Sequence, residues 1–197
     1  MIVAESTPYA WPYDGRLVPG RTALVVCGAA GEWAHRTSQD RTVEANIEVL
    51  RHTSTACGVL VVLVRQAPDP STSERTAQPS VGLIPEPAEQ AVVAIGVDGF
   101  YGSPLDAVLH RHGRTHLLFA GRGFETTIHS TLRRANDRGY ECLTVADACA
   151  TVDPRMRDAS ISTIEMSGGI FGAVASTASV ILALRHEPEP EPNEGAP

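Results

Sequence analysis

The sequence predicts an α/β protein whose mainly parallel, six-stranded sheet is doubly wound, with helices on both faces in a three-layer arrangement. Two observations support this prediction. Short apolar runs such as Thr22–Cys27 and Val59–Val64 lack the alternation of half-exposed strands, which is typical of parallel strands buried on both faces. These runs alternate with segments of helical character, which favours right-handed crossovers above and below one sheet.

The remaining elements follow from local signals along the chain. Gln39–Thr55 has apolar residues at helical spacing. The helix at Pro104–His112 has Ser103 as its predicted N-cap and ends near Gly113. The other predicted strands are Ala91–Gly96, Leu117–Ala120 and Cys142–Val145, and the other predicted helices are Thr126–Arg138, Pro154–Met166 and Ser176–Leu184. Because sheets of this kind bind ligands at the carboxyl ends of their strands, the residues that follow the strands are the first candidates for a site.

The chain divides into three predicted segments: an N-terminal arm at 1–21, one domain at 22–185 and a tail at 186–197. The tail alternates Glu with Pro, a pattern that forms neither helix nor sheet, so we expect it to be disordered and solvated. Gln66–Pro87 is rich in Pro, Ser and Thr without a clear period, which indicates a surface loop.

The arm contains three aromatic residues within a Pro-rich stretch, at Tyr9, Trp11 and Tyr13. Each can bury roughly 150–250 Å² of surface, so exposure of all three to water is unfavourable. We therefore predict that the arm packs on the body at or near a subunit contact, and that the protein is not a monomer. The alternative is that the arm covers the edge of its own subunit's sheet.

Composition excludes several classes of partner. The formal net charge is −7 and the sequence pI about 5.5, which argues against nucleic acid or an anionic membrane as a partner. No apolar run is long enough to span a bilayer. The four cysteines form no CxxC pair and the first residues do not read as a signal peptide, so we expect free thiols and a cytoplasmic location. All 16 basic residues are Arg, so no lysine ammonium is available for chemistry.

Several motifs occur in an order that is similar to the isochorismatase-like cysteine hydrolases, above all their ureidoacrylate amidohydrolase and biuret hydrolase branch. Gly99–Asp106 resembles the G-F-x-G-T-P-L-D of that branch, Ala146–Ala150 its E-D-A-C-A, and Gly168–Gly172 its late glycine motif. The resemblance implies a Rossmann-like, isochorismatase-like fold and hydrolysis of small amides, ureides or vinyl ethers. It also implies a triad: an Asp after the first strand, a Lys before the G-F motif and a nucleophilic Cys at the start of the central helix.

None of these three residues stands at the matching position. An ungapped match places Gly28 at the Asp position, and a slip by one residue would place Cys27 there. Counting back from the G-F motif places Ala94 at the Lys position. The family's G-x-x-T-N-x-C-V becomes Gly121–Ile128, with Thr127 at the position of the nucleophile. A thiolate, a proton carrier and a cation would thus all be missing.

Eight residues form the candidate pocket. Glu32 and Asp98 are carboxylates near the expected cleft, and Arg122 lies where an anion could meet a helix N-terminus. Thr127 could act as a weak nucleophile, although a Thr at this place is usually a first-turn residue. The remaining candidates are Cys27, Phe100, Phe124 and Glu125.

Metal and cofactor motifs are weak in this sequence. His110, His112 and His116 form H-x-H-x3-H, but a helix end and a strand start separate them, so we expect no metal site there. The Gly-rich stretches do not follow G-x-G-x-x-G, so we expect no dinucleotide cofactor. His129 lies about 200° around an α-helix from Thr127, a poor placement for its general base.

Three functions remain open at this stage. The first is a non-catalytic pseudohydrolase that acts as a partner or structural subunit in a homo- or hetero-oligomer, including one with an active paralogue. The second is a re-specialised hydrolase or lyase on a small amide, ureido or enol-type substrate. The third is a small-molecule binding protein whose cleft is enlarged by the small residues at the triad positions.

Overall fold

The computed structural model describes residues 2–28, 38–67 and 84–185. Its strands are β1 (Thr22–Cys27), β2 (Leu60–Gln66), β3 (Gln90–Ala94), β4 (His116–Arg122), β5 (Glu141–Ala150) and β6 (Ala173–Ala175). Its helices are α1 (Ser38–Ala56), α2 (Leu105–Arg111), α3 (His129–Asp137), α4 (Arg157–Glu165) and α5 (Thr177–Arg185). A π-helical turn at Phe124–Ile128 leads into α3, and a 3₁₀ turn at Pro154–Met156 leads into α4.

The six strands form one parallel sheet in the order β3-β2-β1-β4-β5-β6. The chain reverses its direction of winding between β3 and β4, so β1 and β4 are the central neighbours. The predicted fold class and the predicted adjacency of the first and fourth strands are therefore confirmed. Reversal of this kind leaves a crevice at the carboxyl ends of β1 and β4, which is where open α/β sheets bind ligands.

Two apolar layers hold helices to the sheet. On one face, Val43, Ile47 and Leu50 of α1 pack with Val180 and Leu184 of α5. On the other face, the core contains Leu105 and Leu109 of α2, Ile128 and Leu132 around α3, and Ile164 of α4. All six residues of β1 are buried, which explains why this strand reads as an uninterrupted apolar run.

The fourth strand ends later than predicted, because β4 continues through Gly121 to Arg122 rather than ending at the glycine. Gly121 has φ +128, and a Cβ there would lie 2.1 Å from the Cys27 carbonyl oxygen. The glycine thus permits close approach of β1 and β4. The register with β5 also shifts here, from Phe119↔Thr144 to Gly121↔Cys149, which lengthens β5 to ten residues.

The ends of the other helices and strands differ less from the prediction. The helix predicted from Thr126 begins as the π-helical turn at Phe124, and β6 has only three residues, too short to be located from its composition. The predicted loop Gln66–Pro87 has 68–83 outside the described residues, and the predicted tail 186–197 lies outside them as well. None of the helices in the described ranges combines the length and hydropathy needed to cross a bilayer.

The N-terminal arm packs on its own chain. Val3 and Trp11 are fully buried in the core beneath α1 and α5, whereas Tyr13 is 84% exposed. Thr7 N donates to Val174 O at 2.9 Å, and Val174 N donates to Thr7 O at 2.7 Å. The arm therefore covers the β6 edge of its own sheet, as the alternative expectation had it.

Candidate functional site

The three positions that the sequence motifs align with the family triad lie at or after the ends of strands, at the same edge of the sheet. Gly28 directly follows β1, Ala94 is the last residue of β3, and Thr127 lies in the π-helical turn after β4. Gly28 has φ +70, a left-handed conformation in which an L side chain is strained. Ala94 is fully buried in the core against Val92 and Phe100.

Gln66 connects two of these positions. As the last residue of β2, it pairs in parallel register with Ala94. Its carboxamide Nε2 donates to Thr127 Oγ1 at 3.2 Å and to Val97 O at 3.2 Å. The sequence placed Gln66 at the start of a surface loop, because nothing in a Pro- and Ser-rich stretch marks one amide as part of a site.

Thr127 is buried and held by its backbone as well as by its side chain. Its carbonyl accepts a 2.6 Å hydrogen bond from Thr131 Oγ1, which in turn accepts from Gly99 N at 2.9 Å. Gly123, just before the π-helical turn, has φ +77, and a Cβ there would lie 3.2 Å from Thr127 Oγ1. The glycine therefore allows both the sharp entry into the turn and the position of the hydroxyl.

The described charged side chains of the candidate pocket have hydrogen-bond or ion-pair partners of their own. Glu125 Oε1 accepts from Val152 N at 2.8 Å and Asp153 N at 2.9 Å. Arg122 Nη1 lies 3.2 Å from Asp40 Oδ1, a contact between two largely buried side chains. Glu32 lies outside the described residues.

Asp98 stabilises the turn of the Gly-Phe motif. Its Oδ1 accepts from Phe100 N at 2.8 Å, and its Oδ2 lies 3.9 Å from Arg134 Nε. The Phe100 ring stacks on Tyr140 at 6.0 Å between centroids, and Arg138 covers the same ring at 5.0 Å. These contacts give Asp98 and Phe100 a structural role in the loop between β3 and α2.

Cys27 and Phe124 belong to the core layer that faces α2, α3 and α4, where both are fully buried. Cys149 lies in the same layer, and burial together with the nearby Cys27 raises the pKa of the Cys149 thiol. Burial likewise raises the pKa of Cys142. A raised pKa keeps a thiol protonated at neutral pH, so Cys142 and Cys149 act as small apolar residues.

His129 contacts aromatic and basic groups rather than Thr127. Its ring meets Phe171 edge to face at 5.7 Å, and Arg133 also lies over Phe171. Burial, and then the neighbouring charge of Arg133, lowers the pKa of His129. The imidazole is therefore neutral at pH 7, and in the described part of the chain its Nε2 makes no hydrogen bond.

The three histidines of H-x-H-x3-H do not form a common site. His110 and His112 are exposed at the end of α2, whereas His116 is buried at the start of β4. His116 instead meets two carboxylates, Asp14 from the arm and Glu141 from β5. A nearby cleft of about 420 Å³ is lined by Tyr9, Tyr13, Asn136, Gly139, Tyr140, Glu141, Gly168 and Gly169. Sequence reasoning missed this group because its members are far apart in the chain.

Comparisons with known proteins agree with this architecture. A family model described as the isochorismatase domain matches residues 22–179. The ureidoacrylate amidohydrolase RutB of Methylobacterium radiotolerans is 34% identical over 103 residues, which are 52% of this chain and 39% of that protein. RutB of Pseudomonas syringae pv. syringae is 26% identical over an alignment that covers 85% of each chain.

A solved structure shares the fold. The cysteine hydrolase from Pseudomonas syringae pv. phaseolicola superposes with a TM-score of 0.74 at 21% identity, covering 85% of this chain and 94% of that one. The αβα sandwich with its crevice beside β1 and β4 is thus the isochorismatase-like fold. With 158 residues matched by the family model, from 22 to 179, the chain belongs to the isochorismatase family.

Proposed function

We propose that this chain is a non-catalytic member of the isochorismatase family that acts as a partner or structural subunit of an assembly. The observation that carries the proposal is the contact at the nucleophile position. Thr127 presents a buried hydroxyl whose Oγ1 receives a hydrogen bond from the Gln66 amide. In the described part of the chain, no carboxylate, imidazole or thiol hydrogen-bonds that hydroxyl.

The chemistry of the amide supports this reading. A Thr hydroxyl becomes a useful nucleophile when an adjacent group accepts its proton. The Gln66 NH₂ only donates, so it cannot accept that proton. Glu125 and Asp98, the two described carboxylates among the candidate pocket residues, accept backbone N–H groups instead. The chain also contains no Lys to supply the family's cation.

The proposed assembly is a homo- or hetero-oligomer, including one with an active member of the same family. In such an assembly, the preserved αβα scaffold would contribute surface and stability rather than turnover. Support comes from the fold shared with the family and from the Gln66–Thr127 contact, which offers no proton acceptor. A small-molecule ligand in the crevice is compatible with this role, and we expect neither a nucleic acid nor a membrane as a partner.

A two-part experiment tests the proposal. The purified chain is incubated with ureidoacrylate, biuret, carbamoyl and isochorismate-type compounds, and product is measured by mass spectrometry. We expect no turnover above buffer. In parallel, the tagged chain is purified from its native host, and we expect a family member with an intact triad, or further copies of this chain, at fixed stoichiometry. Recovery of the chain alone as a monomer would contradict the subunit role.

The alternative is a re-specialised hydrolase or lyase on a small amide, ureido or enol-type substrate. It is favoured by the names of the curated relatives, which are amidohydrolases, and by the polar Gln66–Thr127 pair at the edge where ligands bind. Turnover of any compound in the panel, abolished by Thr127→Val and by Asp98→Ala but retained in Asp158→Asn, would establish it. A thermal shift without turnover would instead indicate a binding protein.

A further inference from the structure

Three polar side chains converge at the amino-terminal edge of the sheet, opposite the crevice. His116 begins β4 and pairs in register with Glu141, which begins β5. Asp14 comes from the N-terminal arm. One ligand atom from each of these three residues lies within 4.8 Å of the other two.

His116 is the unusual member of this cluster. Its side chain is only 4% exposed, and Nε2 makes no hydrogen bond with any described residue. Nε2 lies 3.3 Å from Glu141 Oε2 and 4.0 Å from Asp14 Oδ1. A buried nitrogen without a hydrogen bond is costly unless another partner binds it. Two carboxylate oxygens lie beside this nitrogen, and a cation between these atoms would bind all three.

The other ring nitrogen is already oriented. His116 Nδ1 lies 2.9 Å from Thr115 Oγ1, and the ring packs edge to face on Trp11 at 5.7 Å. When Nδ1 carries the proton and donates to Thr115, Nε2 keeps a free lone pair beside the two carboxylates. Metal-binding histidines are commonly oriented in this way by a hydrogen bond on the second nitrogen.

The spacing suits a small divalent ion. Tetrahedral zinc with bonds of about 2.1 Å separates its ligand atoms by about 3.4 Å. The 3.3 Å between Nε2 and Glu141 Oε2 already meets this requirement. The 4.0 Å to Asp14 Oδ1 requires a small inward movement, which Asp14 can make because its side chain is 43% exposed.

The surrounding charges leave the site negative. Tyr13 N donates to Glu141 Oε1, and Arg16 N donates to Asp14 Oδ1 at 2.9 Å. Arg21 lies 3.8 Å from Asp14 Oδ2, but its side chain is 49% exposed, so solvent screens much of its charge. Two carboxylates balance one divalent ion, and a nitrogen ligand favours zinc over magnesium or calcium.

We propose that Asp14, His116 and Glu141 form a binding site for one divalent transition-metal ion of the zinc type, which fastens the arm to the starts of β4 and β5. The site is independent of the proposed function at the carboxyl edge. It also differs from H-x-H-x3-H, because only His116 of that motif takes part. The competing explanation is a metal-free contact in which a protonated His116 pairs with the two carboxylates.

The test uses the full chain after dialysis against a chelator. Zinc is titrated calorimetrically, and Co²⁺ is added separately as an optical probe of the ligands. We expect one equivalent of zinc, no cobalt–thiolate band, and a melting temperature raised by about 5–10 °C at a zinc concentration 100 times its Kd. Asp14→Asn and Glu141→Gln keep the accepting oxygens while removing charge, and each should weaken binding at least tenfold.

Two controls separate this site from adventitious binding. Asp158→Asn removes an exposed carboxylate elsewhere, and His112→Asn removes an exposed imidazole, so both should bind zinc like the wild type. Absence of a zinc equivalent, or unchanged affinity in Asp14→Asn, would overturn the proposal. Because Asp14 is partly exposed, Asp14→Asn decides the question even if Glu141→Gln proves unstable, and its melting temperature without metal verifies that it folds.

Discussion

The Gln66 carboxamide and the Thr127 hydroxyl meet at 3.2 Å, Nε2 to Oγ1, across the carboxyl edge of the sheet. Gln66 is also the register partner of Ala94, so one amide lies beside two positions that the family resemblance assigns to chemistry. An amide N–H stabilises the hydroxyl oxygen as an acceptor and offers no base. In the proposed non-catalytic role, this contact pairs the buried Thr127 hydroxyl with a group that cannot accept its proton.

Introducing a thiol at position 127 alone should not create a hydrolase. We expect Thr127→Cys to give no turnover of ureides, because neither a proton acceptor nor a cation would accompany the buried thiol, whose pKa burial raises. The triple change Gly28→Asp, Ala94→Lys, Thr127→Cys should give trace activity at most, since φ +70 at position 28 strains the new Asp. Product formation is followed by mass spectrometry.

The control for this series is Thr126→Cys, which adds a thiol at the exposed neighbouring position. It should be as inactive as Thr127→Cys and more readily alkylated. Robust amidase turnover by Thr127→Cys alone would show that the roles of proton acceptor and cation are filled by other groups.

Removing the buried aromatic of the arm should destabilise the whole domain. Trp11 is fully buried, so Trp11→Ala should lower the free energy of unfolding by about 3–5 kcal/mol, measured by urea titration. Tyr13→Ala is the matched control, because Tyr13 is 84% exposed and its truncation should cost about 0.5 kcal/mol or less. Equal effects of the two changes would mean that the arm does not pack on the domain as described.

His129 should make the protein less stable as the pH falls. Its pKa is lowered in the folded state by burial and by Arg133, whereas the unfolded chain titrates near the ordinary value of about 6.5. Below about pH 6.5 the unfolded state therefore binds more protons, and the free energy of unfolding decreases as the pH falls further. His129→Gln should reduce the loss between pH 7.5 and 5.5 in urea unfolding, whereas His112→Gln, at an exposed position, should leave it unchanged.

Assembly can be tested at the arm. We expect light scattering to give the wild-type chain a mass above that of a monomer at micromolar concentration. Tyr13 is the exposed aromatic of the arm, so Tyr13→Ala should weaken association if the arm also meets a neighbouring subunit, whereas Tyr101→Ala, at a 65% exposed aromatic elsewhere, should not. A monomeric wild type would refute the oligomer, and a selective effect of Tyr101→Ala would move the contact to the loop after β3.

Much of the fold could be read from the sequence because β1 and β2 are continuous apolar runs and their ends are marked by Gly28 and by a change to polar residues. The extension of β4 past Gly121 could not be read, since a glycine usually signals a strand end. Here it permits a backbone contact with Cys27 that only the assembled sheet reveals. The three residues of β6 carry too little pattern to be recognised.

The site was less predictable because its decisive contacts join distant parts of the chain. Positions 28, 94 and 127 followed from motif spacing, but the hydrogen bond from Gln66 depends on register between β2, β3 and the π-helical turn. Glu125 is a predicted pocket residue, and its position in the sequence does not indicate that its carboxylate accepts hydrogen bonds from the backbone of Val152 and Asp153. Residue type and spacing indicate which residues lie near a site, whereas the partners of their side chains depend on tertiary packing.

The contact between Thr7 and Val174 leaves the sheet with a single open edge among the described residues. That edge is β3, where Val93 is 51% exposed. A fibre that grows by strand addition needs two unpaired sheet edges on every copy. In this chain the N-terminal arm pairs with one of the two edges, so one edge remains open. Edge-to-edge pairing of two such copies leaves no further open edge among the described strands, which disfavours growth of a fibre by strand addition.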